Sequence, residues 1–325
     1  MNYRRERNTM QSSEMMVSVY CLAYNHEKYI RSALDGFVNQ KTDFSYEVFV
    51  HDDASTDGTA AIIREYAEKY PHIIKPILQT QNQYSQGIKI MRTHILPRMT
   101  GKYIAICEGD DFWCDSEKLQ MQVDFLESHP DHSACVHNTL RKDMTDGSEH
   151  LLFGEEAYTV TPEKAISRGS AAYQTSSLMY RRELALDPPS FMSSVKGIGD
   201  FPLAIYLSLK GKIHYIPKVM SVYRANVNGS WTKRVEADPE KLAKVNESIL
   251  SMLQMADAYS DGKYHEAFAK SQARCEYKIL KGTGQFRKAR KHPCFRDAGM
   301  KEKCMITALA CFPWMRNLKR KLRRK

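Results

Sequence analysis

The segment "KYIAICEGDDFW", residues 102–113, joins an apolar run directly to a cluster of acids. The apolar run is typical of a buried strand. Glu108, Asp110 and Asp111 follow it within four positions. Like charges held this close repel, and burying them is costly unless a cation joins them. The segment therefore predicts a strand that ends at a divalent-cation site; the alternative is a solvated acidic turn before the next helix.

Strand-like and helix-like segments alternate from residue 15 to about residue 140. Short apolar runs rich in β-branched residues are each followed by apolar residues at helical spacing, on one face of a helix. This alternation predicts an α/β fold with a Rossmann-like, mostly parallel sheet and flanking helices. Ligands of such sheets bind beyond the carboxyl ends of the strands. Three polar segments follow predicted strands there: "AYNHE", "HDDASTDG" and "EGDD".

The regular alternation of strand-like and helix-like segments ends at about residue 140. The stretch "RKDMTDGSEH" predicts an exposed loop, and a segment between about residues 85 and 99 is interpreted as helical. Two further strands, "TSSLMYRR" and "KIHYIPKVMSVYR", lie on either side of the helical segment "GDFPLAIYLSLKGK". Two helices are predicted between about residues 239 and 281, and the chain then becomes basic.

The net charge of +10 belongs mostly to one end of the chain of 325 residues. The last ten residues, "RNLKRKLRRK", hold seven Lys or Arg and no acid, which leaves +3 for the rest. This distribution argues against a broad nucleic-acid-binding surface. No apolar run is long enough to cross a membrane, and the polar N-terminus has no signal-peptide core. The eight cysteines form no CxxC pair, so reduced thiols and a cytoplasmic location are expected.

The second polar segment, "HDDASTDGT", holds more acid than a turn requires. Ser55, Asp57 and Gly58 fit a turn that leads into a helix. That interpretation does not explain why Asp52 and Asp53 occur together at the end of a strand. A carboxylate there can accept a hydrogen bond from a uracil imide or from a ribose hydroxyl.

Four motifs in order resemble the family 2 glycosyltransferases of GT-A fold, especially bacterial members that make capsule, O-antigen or other envelope polysaccharides. The resemblance covers roughly residues 15–232 and is carried by motif order as well as content. The motifs are "VSVYCLAYNHEKYI", "HDDASTDGT", "YIAICEGDDFW", and "GDFPLAIYLSLKGK" with "VYR".

The resemblance implies a nucleotide-sugar site in the first half of this domain. Ala23 and Tyr24 match the segment that packs on the nucleotide base, and Glu27 follows in the same segment. Asp52 matches the acid that reads uracil, and Asp53 lies beside it.

The resemblance also implies the groups that act on the sugar diphosphate. Asp110 and Asp111 match the DXD-type pair, with Asp111 as the Mn²⁺ or Mg²⁺ ligand. Asp200 matches the catalytic base on the acceptor side, and Arg224 matches a residue that closes on the diphosphate. Many relatives have a histidine two positions after that arginine, where this chain has Asn226.

The implied activity is inverting transfer of a sugar from a nucleotide donor, expected to be UDP-linked, to a glycan or lipid-linked glycan. The implied organisation is a disordered segment 1–14, a GT-A domain 15–235 and a helical extension 236–325 with a basic tail. Within the domain, 15–140 would bind the nucleotide sugar and 141–235 the acceptor. Two alternatives stay open: a sugar-phosphate nucleotidyltransferase, and a non-catalytic nucleotide- or glycan-binding protein.

The C-terminal stretch "CMITALACFPWM", residues 304–315, is apolar but too short to span a bilayer. Next to seven cations it suggests peripheral contact with anionic lipid at the inner face of the cytoplasmic membrane. The alternative is a helix packed on the body of the protein and followed by a solvated tail.

Overall fold

The computed structural model describes residues 15–195, 197–227, 238–312 and 314. These residues divide into two compact units. The sheet unit takes the described residues within Met1–Thr159, Tyr173–Asp187 and Gly211–Ala225, and the helical unit those within Val160–Ala172, Pro188–Lys210 and Asn226–Lys325. The predicted disordered segment 1–14 and the basic end of the chain lie outside the described residues.

One sheet connects the strands of the described chain. Its strands are β1 (Met15–Ala23), β2 (Ser45–Asp52), β3 (Ile74–Leu78), β4 (Tyr103–Ile106), β5 (Phe112–Trp113), β6 (His132–Asp143), β7 (Glu149–Leu151), β8 (Tyr158–Val160), β9 (Met179–Arg181) and β10 (Lys212–Ala225). The order is β3-β2-β1-β4-β9-β6-β10-β5, with β7 beside β6 and β8 beside β10.

The direction of the strands confirms the predicted α/β fold class. The second half of the sheet combines parallel and antiparallel strands. The strands β3, β2, β1 and β4 run parallel. The short strand β9 lies antiparallel between β4 and β6, and β6 pairs parallel with β10. The antiparallel pairs thus involve the short strands β5, β7 and β9.

Helices of the sheet unit bury the faces that the periodicity predicts. They are α1 (Ile30–Val38), α2 (Thr59–Lys69) and α3 (Lys118–Ser128), with the short α5 (Glu183–Leu186) further along the chain. On α1 the buried residues are Ile30, Ala33, Leu34 and Phe37. They join the core with the interior residues of β1, β2 and β4. Burying Ile30, Leu34 and Phe37 contributes about 1.5–3 kcal/mol for each side chain.

Two local predictions differ from the structure. The segment interpreted as a helix over residues 85–99 holds only a π-helical turn, Met91–Ile95, and a 3-10 turn, Leu96–Arg98. The expected loop "RKDMTDGSEH" is instead a β-hairpin, since β6 continues to Asp143 and pairs with β7. Residues 144–151, which form the turn and β7, are exposed, so this part of the hairpin has the polar composition that a loop also has.

The helical unit contains α4 (Pro162–Arg168), α6 (Asp200–Lys210), α7 (Pro239–Tyr259), α8 (His265–Gly282), α9 (Phe286–Lys291) and α10 (Met300–Cys311). The two helices predicted between about residues 239 and 281 are confirmed as α7 and α8. The predicted domain boundary at residue 235 stays a prediction. By their contacts, segments 160–172 and 188–210 belong to the same unit as the later helices. Within the described ranges, every helix is too short or too polar to cross a bilayer.

Candidate active site

The carboxyl ends of three parallel strands meet at one edge of the sheet. Ala23 at the end of β1 lies opposite Asp52 of β2. The backbone N–H of Asp53 donates to the carbonyl of Ala23 at 3.0 Å, and that of Gly109 donates to the carbonyl of Leu22 at 2.9 Å. The three polar segments that the sequence places after strands are therefore neighbours, at the position where sheets of this kind bind ligands.

Hydrogen bonds join the segment after β1 to the segment after β2, and this set of bonds is called the brace below. The N–H of Asn25 donates to the hydroxyl of Ser55 at 2.8 Å, and the N–H of Thr56 donates to the Asn25 Oδ1 at 2.8 Å. The N–H of Glu27 donates to the Asp57 carboxylate at 3.2 Å. These reciprocal bonds satisfy polar backbone groups that end the strands and give the edge a defined shape.

Two residues of this brace hold a left-handed backbone conformation. The φ of Asn25 is 56° and that of Ala54 is 60°. Asparagine tolerates this region, but for alanine the left-handed conformation costs about 1–2 kcal/mol of free energy. Such strain is found where a site needs a particular backbone shape. Beside it, a Cβ added to Gly58 would lie 2.6 Å from Oε1 of Glu27, so the Glu27 side chain packs directly on that glycine.

Asp52 and Asp53 are both buried, with 1% and 4% of their surface exposed. The Asp52 carboxylate accepts from the hydroxyl and the N–H of Ser55. The Asp53 carboxylate accepts from the N–H groups of Gln83 and Tyr84, at 2.7 and 3.0 Å. Asp53 thus anchors the loop after β3, a role that the sequence did not reveal. Roles for either acid in nucleotide binding stay predictions.

The two residues predicted to pack on a nucleotide base differ in exposure. Ala23 is 3% exposed and part of the core, whereas Tyr24 is 46% exposed at the strand end. An exposed aromatic ring beside a polar strand edge offers a flat apolar surface with a polar tip.

The acidic turn, residues 108–111, follows β4. Glu108 is exposed, Asp110 is half-buried and Asp111 is 2% exposed. Asp111 accepts a hydrogen bond from the N–H of Arg224 at 2.9 Å and a long one, 3.5 Å, from Gln174 Nε2. Burial raises the pKa of Asp111 well above its usual range, and the negative charge of Asp110 raises this pKa further. A buried carboxylate with acidic neighbours favours a cation beside it.

Arg224, near the end of β10, brings a positive charge to this turn. Its guanidinium donates to the carbonyl of Asp110 at 2.8 Å and lies 4.5 Å from the Phe112 ring centroid and 5.3 Å from that of Tyr29. Burial lowers the Arg224 pKa, while Asp111 and Asp110 oppose this effect. Asn226, two positions after Arg224, has a φ of 62°.

The donors of the acidic turn suit a hard divalent cation such as Mn²⁺ or Mg²⁺, because they are carboxylate oxygens. Their mutual repulsion also favours such an ion. Among the described residues, no group of three His, Cys, Asp or Glu side chains is arranged to hold a metal alone. The turn therefore fits a cation whose remaining ligands come from a substrate, as is usual for Mg²⁺ with phosphates.

A buried cluster formed by Trp113, Lys118 and Gln122 follows the acidic turn in the chain. Trp113 donates its indole N–H to the carbonyl of Ser176 at 2.9 Å and is 3% exposed, so it is a core residue. The Lys118 ammonium lies 4.0 Å from the Trp113 ring centroid and donates to Gln122 at 2.7 Å. Burial lowers the pKa of Lys118 to about 7.

Asp200 is the first residue of α6 in the helical unit. Its Oδ1 accepts from the N–H of Phe201 at 2.8 Å, and its carboxylate is also bonded to the side chain of Ser170. Burial raises the Asp200 pKa, although these hydrogen bonds oppose the effect. A carboxylate with a raised pKa is suited to accept a proton near neutral pH.

Comparisons with known proteins agree with this geometry. The family description "Glycosyl transferase family 2" matches residues 18–187. An uncharacterized protein of Mycobacterium tuberculosis is 37% identical over 217 residues, which cover 66% of this chain and 60% of that protein. The chain therefore spans about three fifths of the length of that relative.

Solved structures of low sequence identity share the fold. Residues 1–349 of Staphylococcus aureus TarS in complex with UDP-GlcNAc align with a TM-score of 0.58 and 22% identity, covering 89% of this chain and 78% of that one. The mannosyltransferase PcManGT of Pyrobaculum calidifontis in complex with GDP-Man and Mn²⁺ aligns with a TM-score of 0.57 and 18% identity, covering 94% and 83%. The expected GT-A fold is thereby confirmed.

Proposed function

Because the chain belongs to glycosyl transferase family 2, we propose that it transfers a sugar from a nucleotide-sugar donor to a hydroxyl of a glycan or lipid-linked glycan. The observation that carries the proposal is the acidic turn, with its buried Asp111 held by Arg224 at the carboxyl edge of β1, β2 and β4. The motif order of the sequence supports a role in making envelope polysaccharide.

The donor is proposed to be a UDP-sugar, with its base near the ends of β1 and β2. The exposed ring of Tyr24 would pack on the base beside Ala23, and Asp52 would accept from its imide. Asp53 and Glu27 would act through the loops that they hold. The likeness in fold to structures that contain UDP-GlcNAc and GDP-Man supports a nucleotide sugar as the donor.

The diphosphate is proposed to bind at the acidic turn. Asp111, with Asp110 beside it, would hold Mn²⁺ or Mg²⁺, and this ion would stabilise the negative charge of the departing diphosphate. Arg224 supplies a fixed positive charge at the same place, since its guanidinium is bonded to the Asp110 carbonyl. Without the histidine that many relatives have, more of the phosphate contact would fall to Arg224.

Asp200 is proposed as the base that takes the proton of the acceptor hydroxyl. The N–H of Phe201 and the side chain of Ser170 orient its carboxylate. One base acting opposite one leaving group corresponds to a single displacement, so we propose inversion at the sugar carbon.

Release of UDP from UDP-sugars with Mn²⁺ present tests this function. In Asp200→Asn we expect release to fall at least about 100-fold, as for loss of a positioned base, while UDP binding is retained. Asp297→Asn, an exposed aspartate in the same unit, is the matched control and should keep the wild-type rate. Wild-type release by Asp200→Asn would contradict the assignment. Formation of UTP and a sugar 1-phosphate from the UDP-sugar and added pyrophosphate would indicate nucleotidyl transfer instead.

A cytoplasmic location at the inner face of the membrane is part of the proposal. Helix α10 packs through Ile306, Leu309 and Ala310, so the start of the apolar stretch belongs to the folded body. Phe312 and Trp314 beyond it are 52% and 64% exposed. Deleting residues 312–325, which leaves α10 intact, should release the protein from membrane pellets. Unchanged pelleting would reject this contact.

A further inference from the structure

A basic groove lies between α4 and α8 within the helical unit. It has a volume of about 600 Å³ and is lined mainly by charged side chains. The cations are Lys164, Arg168, Lys263, Lys270 and Arg274, and the acids are Glu163 and Glu266. With five cations and two carboxylates, the lining has a net charge of +3. A concave surface of one sign concentrates the electrostatic potential and attracts counter-ions.

The cations are arranged as two like-charged pairs on facing helices. Lys164 and Arg168 are four residues apart on α4, and Lys270 and Arg274 are four residues apart on α8. Such i, i+4 pairs of like charge destabilise a helix by about 0.2–0.5 kcal/mol. The positive charge of Arg168, together with the larger effect of burial, lowers the pKa of Lys164. A bound anion would relieve this repulsion.

The walls of the groove are fixed by hydrogen bonds between the helices. Arg274 donates to the carbonyl of Ser167 at 2.9 Å, at the end of α4. Ser271 donates to the carbonyl of Ile166 at 2.8 Å, one turn away on α8. Of the acids, Glu266 is paired with Lys270 at 2.6 Å. The two helices therefore present their cations in a preformed arrangement.

We propose that the basic groove is a second ligand site, which binds phosphate groups of the acceptor. The identification of the ligand with the acceptor depends on the proposed function; the phosphate chemistry depends on the groove alone. Several cations around one concavity favour a multiply charged oxyanion over a single carboxylate. Tyr264 in the lining offers a ring on which a sugar or polyol can pack. The groove is large enough for a phosphate with the unit that bears it.

Titration calorimetry with tripolyphosphate in metal-free buffer tests the site. Lys164→Gln/Arg168→Gln changes the α4 wall, and Lys263→Gln/Lys270→Gln independently changes the other wall. Lys288→Gln/Lys301→Gln removes two exposed cations from α9 and α10 of the same unit and is the matched control. We expect at least a tenfold loss of affinity in each groove variant, no change in the control, and weaker wild-type binding at high salt.

Parallel titrations separate this site from the donor site and from a membrane surface. UDP with Mn²⁺ should bind the wild type and the groove variants equally. Loss of tripolyphosphate binding in the groove variants, without any UDP binding by the wild type, would support the groove and contradict the proposed function. Equal tripolyphosphate affinity in all proteins, or none in the wild type, would overturn the groove site. Groove-dependent binding of phosphatidylglycerol vesicles without tripolyphosphate binding would also overturn it. A cooperative unfolding transition in each variant establishes that the variants fold.

Discussion

The backbone N–H of Arg224 donates to the buried carboxylate of Asp111 at 2.9 Å, across 113 positions of sequence. This bond ties β10 to the acidic turn after β4. It also places the Arg224 guanidinium against the carbonyl of Asp110, so that one residue orients the turn and adds positive charge to it. The donor half of the proposed site is therefore assembled by the pairing of distant strands.

Removing the charge of Asp111 should not destabilise the free protein. Asp111→Asn keeps an oxygen that can accept from Arg224 but removes a carboxylate whose pKa is raised by burial and by Asp110. A carboxylate with a raised pKa lowers stability once the pH exceeds its unfolded pKa. We therefore expect the free energy of unfolding of Asp111→Asn at pH 7 to be higher than that of the wild type, because the charged form that burial disfavours is absent. Urea denaturation without metal measures it; a loss above about 1 kcal/mol would contradict this electrostatic origin.

The pH dependence of UDP release should report Asp200. A base acts only when ionised, so the rate should fall as the pH drops through the Asp200 pKa, which burial raises above 3.8. The acid limb should therefore lie at higher pH than for an ordinary aspartate. A pH–rate profile measures it, and Asp200→Asn should lose the limb together with most of the rate. A wild-type rate that stays flat down to the ordinary aspartate pKa would be the opposite result.

The buried Lys118 should make stability increase with pH just above neutrality. Its folded pKa is about 7, below the usual 10.5, so above pH 7 the unfolded chain binds more protons at this residue than the folded chain does. The free energy of unfolding should then rise with a slope approaching about 1.4 kcal/mol per pH unit. Buried cysteines oppose this trend above their usual pKa of 9.0, which limits the useful range to about pH 7–8.5.

The matched variant for this effect is Lys118→Met, which keeps an unbranched apolar side chain over Trp113. Its stability should be flatter with pH than that of the wild type between pH 7 and 8.5. Denaturation at several pH values measures the difference between the two proteins. Parallel curves would show that Lys118 stays protonated throughout this range.

Ser55 should stabilise the brace between the first two strand ends. Its hydroxyl accepts from the N–H of Asn25 and donates to Asp52, so Ser55→Ala leaves both partners without this bond. We expect a loss of about 1–3 kcal/mol in the free energy of unfolding and weaker UDP binding. Ser128→Ala, which removes a hydroxyl bonded to the end of its own helix, is the control and should change both quantities little. Equal effects of the two substitutions would argue against the brace.

Most of the first half of the fold could be predicted from the sequence because its signals are local. The helical spacing in α1 and the polar segments after β1, β2 and β4 are each visible within about 15 residues. The three-residue strand β9 could not be placed between β4 and β6, because that position depends on long-range pairing and leaves no periodicity.

The residues of the candidate site likewise include some that have a local signal in the sequence and some that have none. Asp110 and Asp111 stand out as adjacent acids after an apolar run. The contacts of Gln174 and Tyr29 with the site have no local signal, because each is created by tertiary packing. Lys118 looks like a solvated helix residue, and only the folded core reveals its burial against Trp113.

Equilibrium binding of UDP with and without Mn²⁺ tests the proposed role of the acidic turn most directly. We predict that Mn²⁺ tightens UDP binding to the wild type at least tenfold and that Asp111→Asn abolishes this effect while remaining folded. UDP binding that is insensitive to Mn²⁺ in the wild type, or an undiminished Mn²⁺ effect in Asp111→Asn, would contradict the proposed site.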